Sequence, residues 1–179
     1  MAARTPISFA DFERLDQGAD KIELLKGELI RTPPAQRGHM EICERLYDLL
    51  KAAVQQLRSR NTALKLGEVH IEMGYRLPGE PASWLQPDVS LTHPDRPGDR
   101  FYLGSPLTAF EVASEFDRAP DLDEEVSEYL ANGSAEVWVI YPQHRHVWVY
   151  DKSSTARKEA NSIHTSLLPG IGIPLDQIF

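Results

Sequence analysis

The chain has a single cysteine, Cys43, among its 179 residues. An intrachain disulfide is therefore excluded, and a reducing compartment, the cytoplasm, is expected. Long apolar runs are also missing. The longest, Val137 to Tyr141, falls far short of the ~20 residues that a membrane-spanning helix needs. The opening Met1-Ala-Ala-Arg-Thr-Pro has no apolar signal core. Positive charge is in deficit, with 19 Lys and Arg against 27 Asp and Glu and a formal net charge of -8. Nucleic acid is bound largely by cationic side chains against phosphate, so a general DNA coat protein is disfavoured. A site whose clustered carboxylates await cations is not, because such a site adds to the negative total. No glycine-rich phosphate loop is present, since Gly170-Ile-Gly172 is too short and lies at the chain end. With no repeat, low-complexity tract or dividing linker, one domain over 1–179 is expected.

What is present is ordinary globular material: 41% hydrophobic and 26% charged residues, in a chain long enough to bury a substantial core. Ser8 and Asp11 mark a helix start running to about Leu15. Ile22 to Leu25 and Glu28 to Arg31 flank Lys26-Gly27, the pattern of a β-hairpin. From about His39 to Arg58, Ile42, Leu46, Leu49, Leu50, Ala53 and Leu57 recur at helical spacing. Val69, Ile71, Met73 and Tyr75 alternate with polar residues and predict one half-buried strand. Further strands are expected near Pro87 to Leu91 and Leu107 to Ser114. A helix then opens at Pro120-Asp121 and closes at Asn132-Gly133. Val137 to Tyr141 and Val147 to Tyr150 predict a last hairpin, and Lys152 to Thr165 a loop or weak strand. The economical arrangement is α/β, a single central mixed sheet flanked by helices.

Asp88 heads one predicted strand and Glu111 lies inside the next, between Phe110 and Val112. A carboxylate in that position is costly to bury without compensation. If the two strands are neighbours, both carboxylates converge on a hard oxygen site suited to Mg²⁺ or Mn²⁺. The alternative is a Glu111 that points outward from an edge strand.

Pro87-Asp88, Glu111-Val112-Ala113-Ser114, and then Asp121 and Tyr129, followed by Glu136-Val-Trp-Val-Ile-Tyr-Pro142, resemble the signature of the Uma-two family of restriction endonucleases. Upstream, Glu23-Leu-Leu-Lys-Gly-Glu28 and Gly38-His39 fit the same pattern, as do Leu168-Pro-Gly170 and the terminal Ile178-Phe179. The resemblance spans about Ile22 to Phe179. It implies the PD-(D/E)XK restriction-endonuclease-like fold, a DNA substrate, a homodimer, and Asp88 and Glu111 as ligands of Mg²⁺ or Mn²⁺ that activate water against a phosphodiester. The apolar late hairpin, with Trp148, also suits a homodimer. His39 heads the long helix as a candidate for contact with substrate or water.

One position departs from that pattern. The family lysine falls four residues after the aspartate and four before the tyrosine, and here that residue is Glu125. Positions i, i+4 and i+8 share a helix face, so Glu125 points where the lysine would. Ala113 likewise denies the E-x-K form, and Glu115 replaces the family's proline. Three readings stand open. The site is inactive and the domain is a non-catalytic nucleic-acid- or protein-binding module. Alternatively, Glu125 is a third carboxylate on the metal. In the third reading, a basic group from elsewhere, Lys26, Arg118 or Lys21, fills the gap. His144 and His146 fit a solvated turn better than a zinc site, Ser114 has no recognisable base, and Trp84, Trp138 and Trp148 fit the core better than base stacking.

Overall fold

Ser8 opens the first helix as expected, its hydroxyl accepting from the Asp11 amide at 3.1 Å, but α1 is a single turn, Phe9–Phe12. The computed structural model describes residues 6–15, 18, 20–61, 65–96, 98–115, 117–153 and 155–179. The first five residues, on which the expectation about a signal core rests, lie outside these. β1 (Lys21–Leu25) and β2 (Glu28–Thr32) make the expected hairpin, with Lys21 opposite Thr32 and Leu25 opposite Glu28. Lys26 and Gly27 have φ of 47° and 81°, the paired left-handed conformations of a two-residue type I′ turn. α2 (Arg37–Arg60) buries the expected stripe, including Ile42, Leu46, Leu50, Ala53 and Leu57.

The alternating run from Val69 to Tyr75 is two strands, not one: β3 (Val69–Ile71) and β4 (Tyr75–Leu77). Between them Glu72 has φ of 47° and leaves the extended region. Gly74 permits the break, because a Cβ there would come within 2.5 Å of the Trp84 ring. β5 (Ser83–Leu85), β6 (Val89–Leu91), β7 (Tyr102–Leu103) and β8 (Thr108–Val112) follow. α3 (Ala119–Ala131) carries Pro120 in its first turn and ends at Asn132. β9 (Glu136–Tyr141) and β10 (His146–Asp151) form the late hairpin, then come β11 (Arg157–Glu159), β12 (Ser162–His164) and β13 (Gly172–Pro174).

The class is mixed α/β, as expected, but the strands divide between two main sheets and a ribbon instead of forming a single layer. One sheet has the order β11-β10-β9-β8-β6-β3, with β8 and β9 parallel. The other has the order β2-β1-β5-β4-β7, with β4 and β7 parallel. β12 and β13 pair as a two-stranded ribbon. Splitting the Val69–Tyr75 run lets β3 join the first sheet and β4 the second.

Side-chain alternation gives the six-stranded sheet two unlike faces. Val89, Leu91, Phe110, Val112, Trp138 and Ile140 pack with Leu46, Leu50 and Val54 of α2. On the other face Ala109, Val137 and Val139 meet Val126 and Tyr129 of α3, together with Leu25, Leu77 and Leu85 of the five-stranded sheet. Glu111 alternates with Phe110 and Val112 and so belongs to this second face, while Asp88 lies just before β6, at the end of the sheet, where His39 of α2 also reaches it. Lys21 and Glu23 alternate with Ile22 and Leu24, which pack in a third cluster around Phe9 and Phe12, and so share a face with Leu25. No helix among the described residues is long and apolar enough to cross a membrane.

Candidate active site

β6 and β8 are antiparallel with Val89 opposite Phe110, so one step further along, Asp88 and Glu111 come abreast. Each is only 7% exposed. Asp88 Oδ2 accepts from the Val112 amide at 2.7 Å and lies 3.2 Å from His39 Nε2, while Oδ1 lies 3.9 Å from the Lys21 ammonium. Burial works to raise the Asp88 pKa, but Lys21, His39 and the Val112 amide together outweigh it and hold the carboxyl below its ordinary value. Glu111 has no such support. Burial, and then the charge of Asp88, push it well above the usual carboxylate range, with Lys21 opposing.

β1 and α3 supply the remaining walls. Glu23 accepts from the Gln86 amide at 2.5 Å, and its second oxygen lies 3.5 Å from Lys21; burial raises its pKa. Glu125 of α3 is half-buried, and burial followed by the charge of Glu23 pushes it up to about 8. One turn on, the Tyr129 hydroxyl is buried beside Glu111, and burial followed by the charge of Glu111 raises its pKa. On the α2 side, the contact with Asp88 raises the His39 imidazole. Cys43 Sγ is 3.5 Å from His39 Nδ1, in a buried position that pushes the thiol up.

The four residues singled out from sequence, His39, Asp88, Glu111 and Glu125, thus share one electrostatic neighbourhood. Glu111 faces inward, which removes the edge-strand alternative. Of the three basic candidates, Lys26 lies instead against Glu124 and Glu128, at 3.1 and 3.6 Å, and Arg118 pairs with Asp121 at 3.5 Å. Lys21 lies 3.5 Å from Glu23 and 3.9 Å from Asp88, and the charges of Glu111 and Glu125 also act on it. Glu23 as a wall of the site was missed from sequence. The signal was available in the alternation of Lys21 and Glu23 with two apolar neighbours. His144, in the turn before β10, and His146, the first residue of β10, stack on each other at 5.7 Å.

A divalent cation suits this donor set. Carboxylate oxygens are the hard ligands that Mg²⁺ and Mn²⁺ prefer. A Glu111 raised by burial and then by its neighbour's negative charge marks a site short of positive charge. His39, Cys43 and Asp88 bring donor atoms within 4.8 Å of one another, adding softer ligands on the α2 side that Mg²⁺ has little use for.

No curated protein matches the chain. Among solved structures it is similar to the crystal structure of "a putative nuclease belonging to DUF820" from Anabaena variabilis, with a TM-score of 0.82 at 18% identity, over 97% of this chain and 98% of that one. At that identity the likeness is one of fold. Residues 9–176 match the family Uma2, described as "Putative restriction endonuclease". The match takes in all three helices and both main sheets, and the chain belongs to the Uma2 family.

Proposed function

We propose that the protein is a metal-dependent endonuclease that hydrolyses phosphodiester bonds of DNA, with Asp88 and Glu111 as ligands of Mg²⁺ or Mn²⁺. The observation that supports it most is the buried, adjacent pair of carboxylates whose ionisation is divided: Asp88 held low and Glu111 pushed high. Two titratable groups driven apart in a closed site are a common mark of function. When bound, the cation would activate water and stabilise charge on the phosphoryl oxygens.

The chain's own groups prepare the site. The Val112 amide and His39 engage Asp88 Oδ2, which fixes the carboxylate and leaves Oδ1 turned to the site. Burial of Glu111 beside Tyr129 shields its oxygens from bulk water, so that a cation competes for them with a proton and not with a hydration shell. His39, raised by Asp88, would offer a proton donor beside that ligand carboxylate.

Glu125, standing where the resembling family has lysine, favours a second reading in which the same scaffold binds nucleic acid or protein without cleaving. Supercoiled plasmid incubated with the protein and Mg²⁺ or Mn²⁺ separates the two. Nicking by wild type that Glu111→Ala abolishes is the expected result. Wild type that binds DNA without nicking it would establish the binding module instead. The same proposal takes the chain as one nuclease domain acting in the cytoplasm, in keeping with its free, buried Cys43, and as a homodimer. A sedimentation mass of one chain across micromolar concentrations would remove the dimer.

A further inference from the structure

The chain carries a glutamate where the resembling family places its lysine, yet the site is not without a cation. We infer that Lys21, at the start of β1, is the catalytic ammonium of this protein, so that β1 supplies the positive charge that α3 lacks. This inference rests on the nuclease reading above and assigns to it a residue from a different element of the fold.

Three observations carry it. First, the β1 alternation that buries Ile22 and Leu24 turns Lys21 into the site together with Glu23, and the hairpin register with β2 and the Leu24–Trp84 pairing with β5 fix that face. Second, the side chain is only 23% exposed and lies between Glu23 at 3.5 Å and Asp88 at 3.9 Å. A half-buried ammonium within reach of a proposed metal ligand is placed to act on the same phosphate. Third, its contacts are loose. The ammonium lies 3.5 Å from Glu23 and 3.9 Å from Asp88, longer than a strong charged hydrogen bond, so it can turn a donor to a phosphoryl oxygen or the attacking water at little cost. Lys26 and Arg118 cannot stand in, since both are more exposed and are paired along α3.

A lysine at position 125 would bring two ammonium groups to the same carboxylates. With Glu125 present, Lys21 is balanced from across the site. Glu125→Lys is therefore expected to place like charges together and not to create activity.

The test uses purified full chain, plasmid nicking, and calorimetric titration with Mn²⁺ alone. Lys21→Met is expected to lower nicking about 10²–10³-fold, the scale seen when one preorganised donor facing developing charge is removed. Its Mn²⁺ affinity is expected to hold or tighten, because a cation beside the ligands is gone. A merely structural lysine would instead weaken both. Lys21→Arg, which keeps the charge and guards against a folding defect in the first variant, is expected to retain part of the activity. The exchange Lys21→Glu with Glu125→Lys is expected to nick better than either single change. Lys21→Met that nicks like wild type would overturn the inference and leave the nuclease reading standing. So would Glu125→Lys that nicks faster than wild type. A wild type that is inert in the same assay would overturn the nuclease reading itself, and this inference with it.

Discussion

The two faces of the six-stranded sheet are built from the same strands and obey opposite rules. Toward α2, Val89, Phe110, Val112, Trp138 and Ile140 bury apolar surface against Leu46, Leu50 and Val54. Every group there gains by leaving water. Toward α3 and the second sheet, the same strands bury Glu111, with Asp88 buried at their end, and β1 adds Glu23. Those groups lose solvation, and burial with the charge of Asp88 pushes Glu111 well above the usual carboxylate range. On the first face burial is apolar throughout, while on the second an apolar cluster of Ala109, Val137, Val139 and Val126 surrounds carboxylates that are kept at a cost to stability. Such a cost is the sign of a working site, because a carboxylate cluster held for packing alone would be replaced by apolar side chains at no loss.

Substitutions on the two faces are therefore expected to act in opposite senses. The largest effect falls on the costly face: Glu111→Gln is expected to reduce plasmid nicking to background while the metal-free protein melts no lower than wild type. A melting point several degrees lower would mean that Glu111 is structural. On the apolar face, Leu46→Ala removes a side chain that is 0% exposed. It is expected to cost about 2–5 kcal/mol, a fall in Tm of roughly 5–15 °C for a chain of this size, with Mn²⁺ affinity unchanged in the folded fraction.

A smaller effect sharpens the contrast through pH. Glu125 is held at about 8, above the 4.5 of the free side chain, so the folded state binds that proton more tightly than the unfolded one. Its contribution is fully present below about pH 4.5 and declines as pH rises toward about 8. Metal-free wild type should thus lose stability over that window, and Glu125→Gln should flatten the slope in thermal melts taken at successive pH values. An unaltered slope would place the titration on another group. The smallest effect is expected at Lys26, whose half-exposed pairs with Glu124 and Glu128 lie outside the cluster. Lys26→Met should change stability by no more than about 1 kcal/mol and leave nicking intact.

Much of this arrangement is legible in the residues. The Lys26-Gly27 turn, the α2 stripe and the Pro120 to Asn132 limits of α3 follow from local chemistry. Asp88, Glu111, His39 and Glu125 come from ordered motifs whose spacing survives in the fold. The break at Glu72 does not follow, because alternation of Val69, Ile71, Met73 and Tyr75 says nothing about a φ of 47° in their midst. The expectation of a single sheet fails with it, since that break sends β3 and β4 to different sheets. Glu23 and Lys21 show a further limit. Their alternation with Ile22 and Leu24 says that they share a face, but what that face meets depends on how two sheets pack, and that is set by residues far along the chain.

The most direct test of the account is a calorimetric titration of metal-free wild type and Asp88→Asn with Mn²⁺, both shown to be folded by thermal melt. The account predicts a saturable binding isotherm for wild type and none for Asp88→Asn. Equal affinity in the two proteins would contradict it.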